Sequence, residues 1–231
     1  FSASEIEEYK LCPKKYNSKY VIGDPDRDII LPATGENARM QGLIIHEIFQ
    51  GKDPSMVFKK YGISDSNKER LYRKYYDKFL SSDFMKDVKE DHRELPFLAR
   101  IDGILFSGKI DRITKKGDGP WNIIDYKTME LSEEQMEEKS RKYSYQLVIY
   151  RNAMQQLLGE EICVFAYFTS IGKFFQAKLD DTRVISNIKI IAQKINLKEF
   201  AFEICNRCER KGIDKLEGLC PALKNEIDTM H

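Results

Sequence analysis

The feature that most constrains this chain is a change of hydrophobic period in its middle. Leu95 to Ile101, Ile104 to Ile113 and Trp121 to Tyr126 read as three strands rich in Ile, Leu and Phe. Asp102-Gly103 supplies a tight hairpin turn between the first two, and Lys115 to Pro120 a longer loop before the third. On both sides the spacing is helical. Ser2-Ala3-Ser4-Glu5 has capping-box spacing ahead of a short helix with Ile6, Tyr9 and Tyr16 as a partial stripe, which Pro13 interrupts. Lys10, Lys14, Lys15 and Lys19 lie among these tyrosines, and Asp24 to Pro32 is loop. A helix follows from Gly35 to Gln50, with Met40, Leu43, Ile44 and Ile48 as its buried side. Residues 52 to 92 carry one or two further, densely charged helices. Beyond the strands, Ser132 and Gln135 open a second capping box for a helix that runs to Leu158 and is closed by Gly159. Ile162 to Ser170 and Lys173 to Leu179 form a hairpin, and Val184, Ile188, Ile191 and Ile195 mark a last amphipathic helix. This order predicts an α/β fold with a mixed central β-sheet flanked by helices.

Composition narrows the function classes. Of 231 residues, 42% are hydrophobic, enough to build a core, which excludes a disordered tail. The longest apolar run, Ile162 to Phe168, falls far short of the roughly 20 residues of a membrane span. No signal-peptide pattern opens the chain, and Phe1 in place of Met suits a piece of a longer protein. The 38 basic and 37 acidic residues sum to +1, which argues against a blanket polyanion binder but leaves room for separated patches. Five cysteines fit a secreted disulfide framework poorly, so a cytoplasmic location is expected. No repeat or linker divides the chain, and residues 1–231 read as one domain.

The polar residues with the most chemistry sit on the predicted strands. Asp125-Tyr126-Lys127 ends the apolar run Trp121-Asn122-Ile123-Ile124, and strand geometry puts Asp125 and Lys127 on one face with Tyr126 turned away. Asp111 ends Gly108-Lys109-Ile110-Asp111 on the preceding strand. If these strands pair, two carboxylates and an ammonium converge. Neighbouring acids repel, and a hard divalent cation is the usual remedy. A lysine beside that ion can orient or deprotonate the attacking water, or meet charge developing on a phosphoryl oxygen. Taken alone, the tripeptide fits a strand end with a solvated ion pair better than a catalytic site. His46, Glu94, and the Gln146 and Tyr150 pair on one helix face are each ordinary structural residues when considered singly.

In order along the chain, these residues form a pattern. Gly42-(x)3-His46, Glu94-Leu95-Pro96-Phe97, Gly108-Lys109-Ile110-Asp111, Asp125-Tyr126-Lys127-Thr128 and Gln146-(x)3-Tyr150 together resemble the RecB-like branch of the PD-(D/E)XK nucleases. The resemblance implies a restriction-endonuclease-like core and metal-dependent hydrolysis of DNA phosphodiesters. It implies that His46, Asp111, Asp125 and the Tyr126 carbonyl bind Mg²⁺ or Mn²⁺, that Glu94 is an auxiliary acid and Lys127 the catalytic lysine. Gln146 and Tyr150 would position DNA or the active-site groups.

Cys205-Asn206-Arg207-Cys208, Cys220-Pro221 and Cys12-Pro13 are compatible with a redox pair, a zinc site or a [4Fe–4S] cluster. No thioredoxin-like helix start surrounds the C-x-x-C, which disfavours redox chemistry. The resemblance points to the iron–sulfur subgroup, with Cys12, Cys205, Cys208 and Cys220 as cluster ligands joining an N-terminal segment (1–34) and a C-terminal segment (201–231) across the core (35–200). Cys163, on an alternating apolar strand, is expected to be a buried free thiol.

The expected function is a DNA exonuclease acting on single strands or ends in recombination and repair, with a helicase in the same chain or complex as partner. Asp at position 125 favours this branch over the similar CRISPR-adaptation nucleases, which usually carry Glu there. A rival of another class is a silent DNA-binding module stabilised by zinc. Arg39, Arg73, Lys74, Arg141, Lys142, Arg207, Arg210 and Lys211 are candidate phosphate contacts, and no base-reading motif is visible.

Overall fold

A computed structural model describes residues 1–23 and 33–200. Its centre is a five-stranded sheet in the order β1-β2-β3-β4-β5, formed by Glu90–Ile101, Ile104–Lys115, Trp121–Lys127, Ile162–Phe168 and Lys173–Gln176. Only β3 and β4 are parallel; the other pairs are antiparallel, so the sheet is mixed as expected. Asp102 and Gly103 both take positive φ, the two-residue turn that matches strand twist. At the next ladder position that matters, Gly108 faces Phe97; a side chain there would meet the Phe97 ring at 3.1 Å.

Two apolar layers cover the sheet. One face packs Phe97, Phe106, Ile110, Ile113, Ile123 and Val164 against α1 (Ala3–Leu11), α7 (Ser144–Leu158) and α8 (Asp181–Asn196). The other packs Ile124, Tyr126 and Tyr167 against α3 (Ala33–Phe49), α4 (Pro54–Lys60) and α5 (Ser66–Leu80). The first capping box forms as predicted at Ser2 and Glu5, and Pro13 ends α1 by opening α2 (Pro13–Tyr16). A π-helical stretch, Asn17–Ile22, follows.

Four expectations need correction. The buried stripe of α3 is Ile44, Ile45, Ile48 and Phe49, whereas Met40 and Leu43 are exposed; Ile45 and Phe49 complete the core-facing stripe alongside Ile44 and Ile48. β1 begins at Glu90, not Leu95, because pairing with β2 holds its charged start, which has no apolar alternation to announce it. The helix opened by Ser132 is broken. A 3₁₀ turn (Glu133–Gln135) leads into α6 (Met136–Arg141), and α7 starts afresh at Ser144 and stops at Gly159 in the left-handed region. Cys163 is half-buried and free. Cys205, Cys208, Cys220 and the loop at Asp24 to Pro32 lie outside the described residues. Among the described residues no helix is long and apolar enough to cross a membrane.

Candidate active site

The site sits where β2 and β3 part. Their ladder runs from Lys115↔Trp121 to Arg112↔Ile124 and stops there, so the residues that follow, Asp111 and Asp125, stand at the mouth of a fork. The backbone N–H of Tyr126 donates to Asp111 Oδ2 at 2.9 Å, a side-chain bond in place of the next rung. Tyr126 points its ring into the second core, where it packs edge-on to Phe49 and Phe79. Asp125 and Lys127 face the other way, toward α7, as strand alternation predicts.

Asp125 is almost fully buried, and its Oδ2 lies 2.6 Å from Lys127 Nζ; among the described residues no hydrogen bond reaches that oxygen. Lys127 Nζ donates to Gln146 Oε1 at 3.1 Å and lies over the Tyr143 ring, 3.6 Å from its centroid. Gln146 Nε2 donates in turn to Tyr150 Oη at 2.8 Å. His46 reaches in from α3, with Nδ1 3.7 Å from Asp111 Oδ1 and its ring edge-on to Tyr126. Glu94 stands between the ladder pairs Arg93↔Arg112 and Leu95↔Ile110, across from Asp111. It has φ +51°, a left-handed conformation rare for a residue with a side chain, and its carboxylate pairs with Lys109 at 3.6 Å.

The electrostatics follow from this crowding. Burial pushes the Asp111 carboxyl up to about 6, and the Asp125 charge pushes the same way against His46 and the Tyr126 N–H. Burial pulls the Lys127 ammonium down, but the Asp125 carboxylate, with Tyr143 and Asp111, leaves it above the ordinary lysine value. Lys127 is therefore a cation at neutral pH. Burial, then the Asp125 charge, drives the Tyr150 phenol well above its usual range, so it stays protonated.

A buried and a partly buried acid at one fork, with an imidazole beside the second, are a donor set suited to Mg²⁺ or Mn²⁺. Among the described residues, no three His, Cys, Asp or Glu side chains close into a finished metal shell. Asp125 is engaged with Lys127, which leaves His46 and Asp111 as a pair. The structure thus joins His46 to Asp111, links Asp125, Lys127, Gln146 and Tyr150 in a second series of contacts at the same fork, and places Glu94, paired with Lys109, across from Asp111. Of the cluster candidates, only Cys12 is described. It caps α2, its Sγ accepting from the Lys15 N–H at 3.4 Å.

Sequence reasoning missed two participants. Tyr143 covers Lys127, and Glu7 of α1 accepts the N–H groups of Tyr145 and Gln146 at 3.1 and 3.3 Å. Neither carries a local signal, because each becomes relevant only through contacts between separate elements.

A forked mixed sheet with an acid on each prong and a fixed lysine two residues on defines a class of α/β proteins. The family model described as the PD-(D/E)XK nuclease superfamily matches residues 1–213. The chain belongs to that superfamily, whose members are metal-dependent nucleases. It is 30% identical over 93 residues to one of the ATP-dependent helicase/nuclease subunits of Clostridium perfringens (strain 13), a match covering 33% of this chain and 7% of that protein. It is 28% identical over 151 residues to one of the ATP-dependent helicase/deoxyribonuclease subunits of Streptococcus uberis, covering 55% of this chain and 14% of that protein. The chain therefore spans only a small part of the length of these relatives. A Eubacterium rectale protein, solved as a candidate exonuclease, shares the fold with a TM-score of 0.58 at 12% identity, over 90% of this chain and 86% of that one.

Proposed function

We propose that this chain is a divalent-metal-dependent deoxyribonuclease that trims single-stranded DNA or DNA ends, as the nuclease unit of a helicase–nuclease. The observation that carries the reading is the convergence of Asp111, Asp125 and Lys127 at the strand fork. The partial relatives, by their names helicase/nuclease subunits, support the recombination and repair setting.

His46, Asp111, Asp125 and the Tyr126 carbonyl would hold Mg²⁺ or Mn²⁺, and the ion would supply Lewis-acid stabilisation of phosphoryl charge. The chain's own residues do the rest. Lys127, charged and fixed by Gln146, holds a proton at Nζ and places positive charge where a phosphate oxygen gains negative charge. Tyr150 holds the Gln146 amide, so the carboxamide oxygen keeps facing the ammonium. The Tyr143 ring and the wall of α7 keep Lys127 from bulk water, which strengthens its field.

The decisive experiment incubates the protein with end-labelled single-stranded and duplex DNA, with Mn²⁺ or Mg²⁺ and with EDTA. Degradation should need the metal and fall by roughly 100-fold or more in Asp125→Ala. Undiminished cleavage by that variant would falsify the site.

A [4Fe–4S] cluster held by Cys12, Cys205, Cys208 and Cys220 belongs to the same reading. Support comes from where the described chain ends. Phe200 stacks on Tyr16 at 6.2 Å and meets Tyr9 at 6.4 Å, and Tyr9 Oη donates to the Glu199 carbonyl. Cys205 is five residues further on, within about 18 Å of extended chain from that contact.

A further inference from the structure

The geometry points to Glu7 as a positioning residue for Lys127, acting through the first turn of α7. This inference rests on the reading of Lys127 as the catalytic lysine. The first turn of a helix has N–H groups with no partner inside the helix, and the residue before α7, Tyr143, offers no side-chain cap. The acceptor arrives from α1, 138 residues away in sequence. Glu7 Oε1 takes the N–H groups of Tyr145 at 3.1 Å and Gln146 at 3.3 Å. A carboxylate at a helix N-terminus is also favoured by the helix dipole. Lys10, one turn along α1, lies 4.0 Å above the Tyr145 ring, so the same two helices meet twice.

The consequence reaches the site in two steps. Gln146, whose backbone N–H Glu7 holds, is the residue whose side-chain oxygen accepts from Lys127 Nζ. Tyr143, whose ring covers Lys127, sits at the break between α6 and α7 that this cap completes. Glu7 is a partly buried acid. Burial pushes its carboxyl up, and Lys10, the two N–H groups and, last, Lys127 draw it back. A plain stabilising cap would more commonly be a Ser, Thr, Asp or Asn adjacent in sequence. Here the cap comes from another helix, so the placement of α1 is tied to the angle at which α7 presents Gln146.

The test compares the full chain with Glu7→Ala, Glu7→Gln and Ile188→Ala, the last a core truncation in α8 outside the hydrogen bonds that join Glu7, Gln146 and Lys127. Amide hydrogen exchange over residues 143–150 reads the first turn, and reductive methylation followed by mass spectrometry reads access to Lys127. Both should speed up in Glu7→Ala. Both should return toward the parent in Glu7→Gln, whose carbonyl still accepts the two N–H groups. With Mn²⁺ and single-stranded DNA, kcat should drop roughly 10- to 100-fold in Glu7→Ala with KM within about twofold. Ile188→Ala should lower Tm without altering Lys127 methylation. If Glu7→Ala loses stability but leaves Lys127 methylation and kcat within about twofold of the parent, Glu7 is only a cap and the inference falls. Failure of Glu7→Gln to restore either readout overturns the hydrogen-bonding route. Should Glu7→Ala not fold, Glu7→Asp, one methylene too short to reach both N–H groups, is judged by the same readouts. If the parent chain degrades no DNA with any metal, the functional reading fails, while exchange and methylation still decide the positioning role.

Discussion

At the scale of single residues, the site is a balance between two acids that repel and a lysine that holds one of them. Asp111 carries the clearest consequence. Its carboxyl, raised by burial and by Asp125, must ionise at a cost in the folded, metal-free protein. For an acid with a raised folded value, stability is lost as pH climbs from the unfolded value near 4, about 3.9 for an ordinary Asp, to about 6. Asp111→Asn removes that cost. In EDTA, the variant should therefore melt above the parent at pH 7.5, and the two should converge near pH 4. A variant that melts lower at every pH would mean that the Tyr126 N–H bond outweighs the repulsion. The motif residues were legible one by one in the sequence. Their pairing was not, since Tyr143 and Glu7 join the site through contacts that no spacing encodes.

At the scale of elements, the charged start of β1 is held by an ion pair in which only the arginine is buried. Arg112 is almost wholly buried and makes a two-pronged contact with Asp91, Nε to Oδ1 at 2.6 Å and Nη2 to Oδ2 at 2.7 Å, with its guanidinium over Phe79. Arg112 directly follows Asp111, so this clamp fixes the strand just beyond the fork. Truncating Asp91 leaves the buried guanidinium without its carboxylate, with water able to reach the exposed side of the pair, and Asp91→Ala should cost about 2 kcal/mol in urea unfolding. A loss below about 0.5 kcal/mol would show that Arg112 finds water instead.

Among the helices of the same face, Glu47 of α3 gathers Lys60, Tyr61 and Lys52 and pins α4 to α3. These contacts, led by Lys60, lower the Glu47 carboxyl to about 2. A depressed acid stabilises above its unfolded value near 4 and loses that contribution as pH falls toward 2. Glu47→Gln should thus flatten the acid limb of Tm against pH while lowering Tm at pH 7; an unchanged acid limb would show the contacts to be worth little. Element types came through in the hydrophobic period wherever one face is buried. The start of β1 and the break before α7 did not, because polar strand residues and a helix break answer to pairing and capping partners distant in sequence.

At the scale of the whole molecule, the +1 net charge is a sum over separated regions. Acids gather at the fork, while Arg70, Arg73, Lys74 and Lys78, with Asp77 among them, line an open groove along α5. The last described residue, Phe200, meets the N-terminal segment by packing on Tyr9 and Tyr16, which flank Cys12 in sequence. If a cluster joins the two ends, it closes a loop of nearly the whole chain, where a cross-link most restricts the unfolded state in the loop-entropy account. Anaerobically purified protein should then contain iron and sulfide near four each per chain for a [4Fe–4S] centre, about that stoichiometry by definition of the cluster. Cys12→Ser should lose the iron and lower Tm. Stoichiometric zinc without iron would instead support the zinc alternative.

The sequence alone determined the class of fold and picked out the motif residues, but neither Tyr143 nor Glu7. Alternating and helical periods decide which segments are strands and helices, and the order of His46, Asp111, Asp125 and Lys127 decides the family resemblance. Only the tertiary structure decided that the β2–β3 ladder stops at Arg112↔Ile124, that Asp111 takes the Tyr126 N–H, and that Glu7 reaches across to α7. Periodicity records which face of an element is apolar. It does not record where two strands part, since that depends on which polar group, however far along the chain, satisfies the backbone at the point of separation.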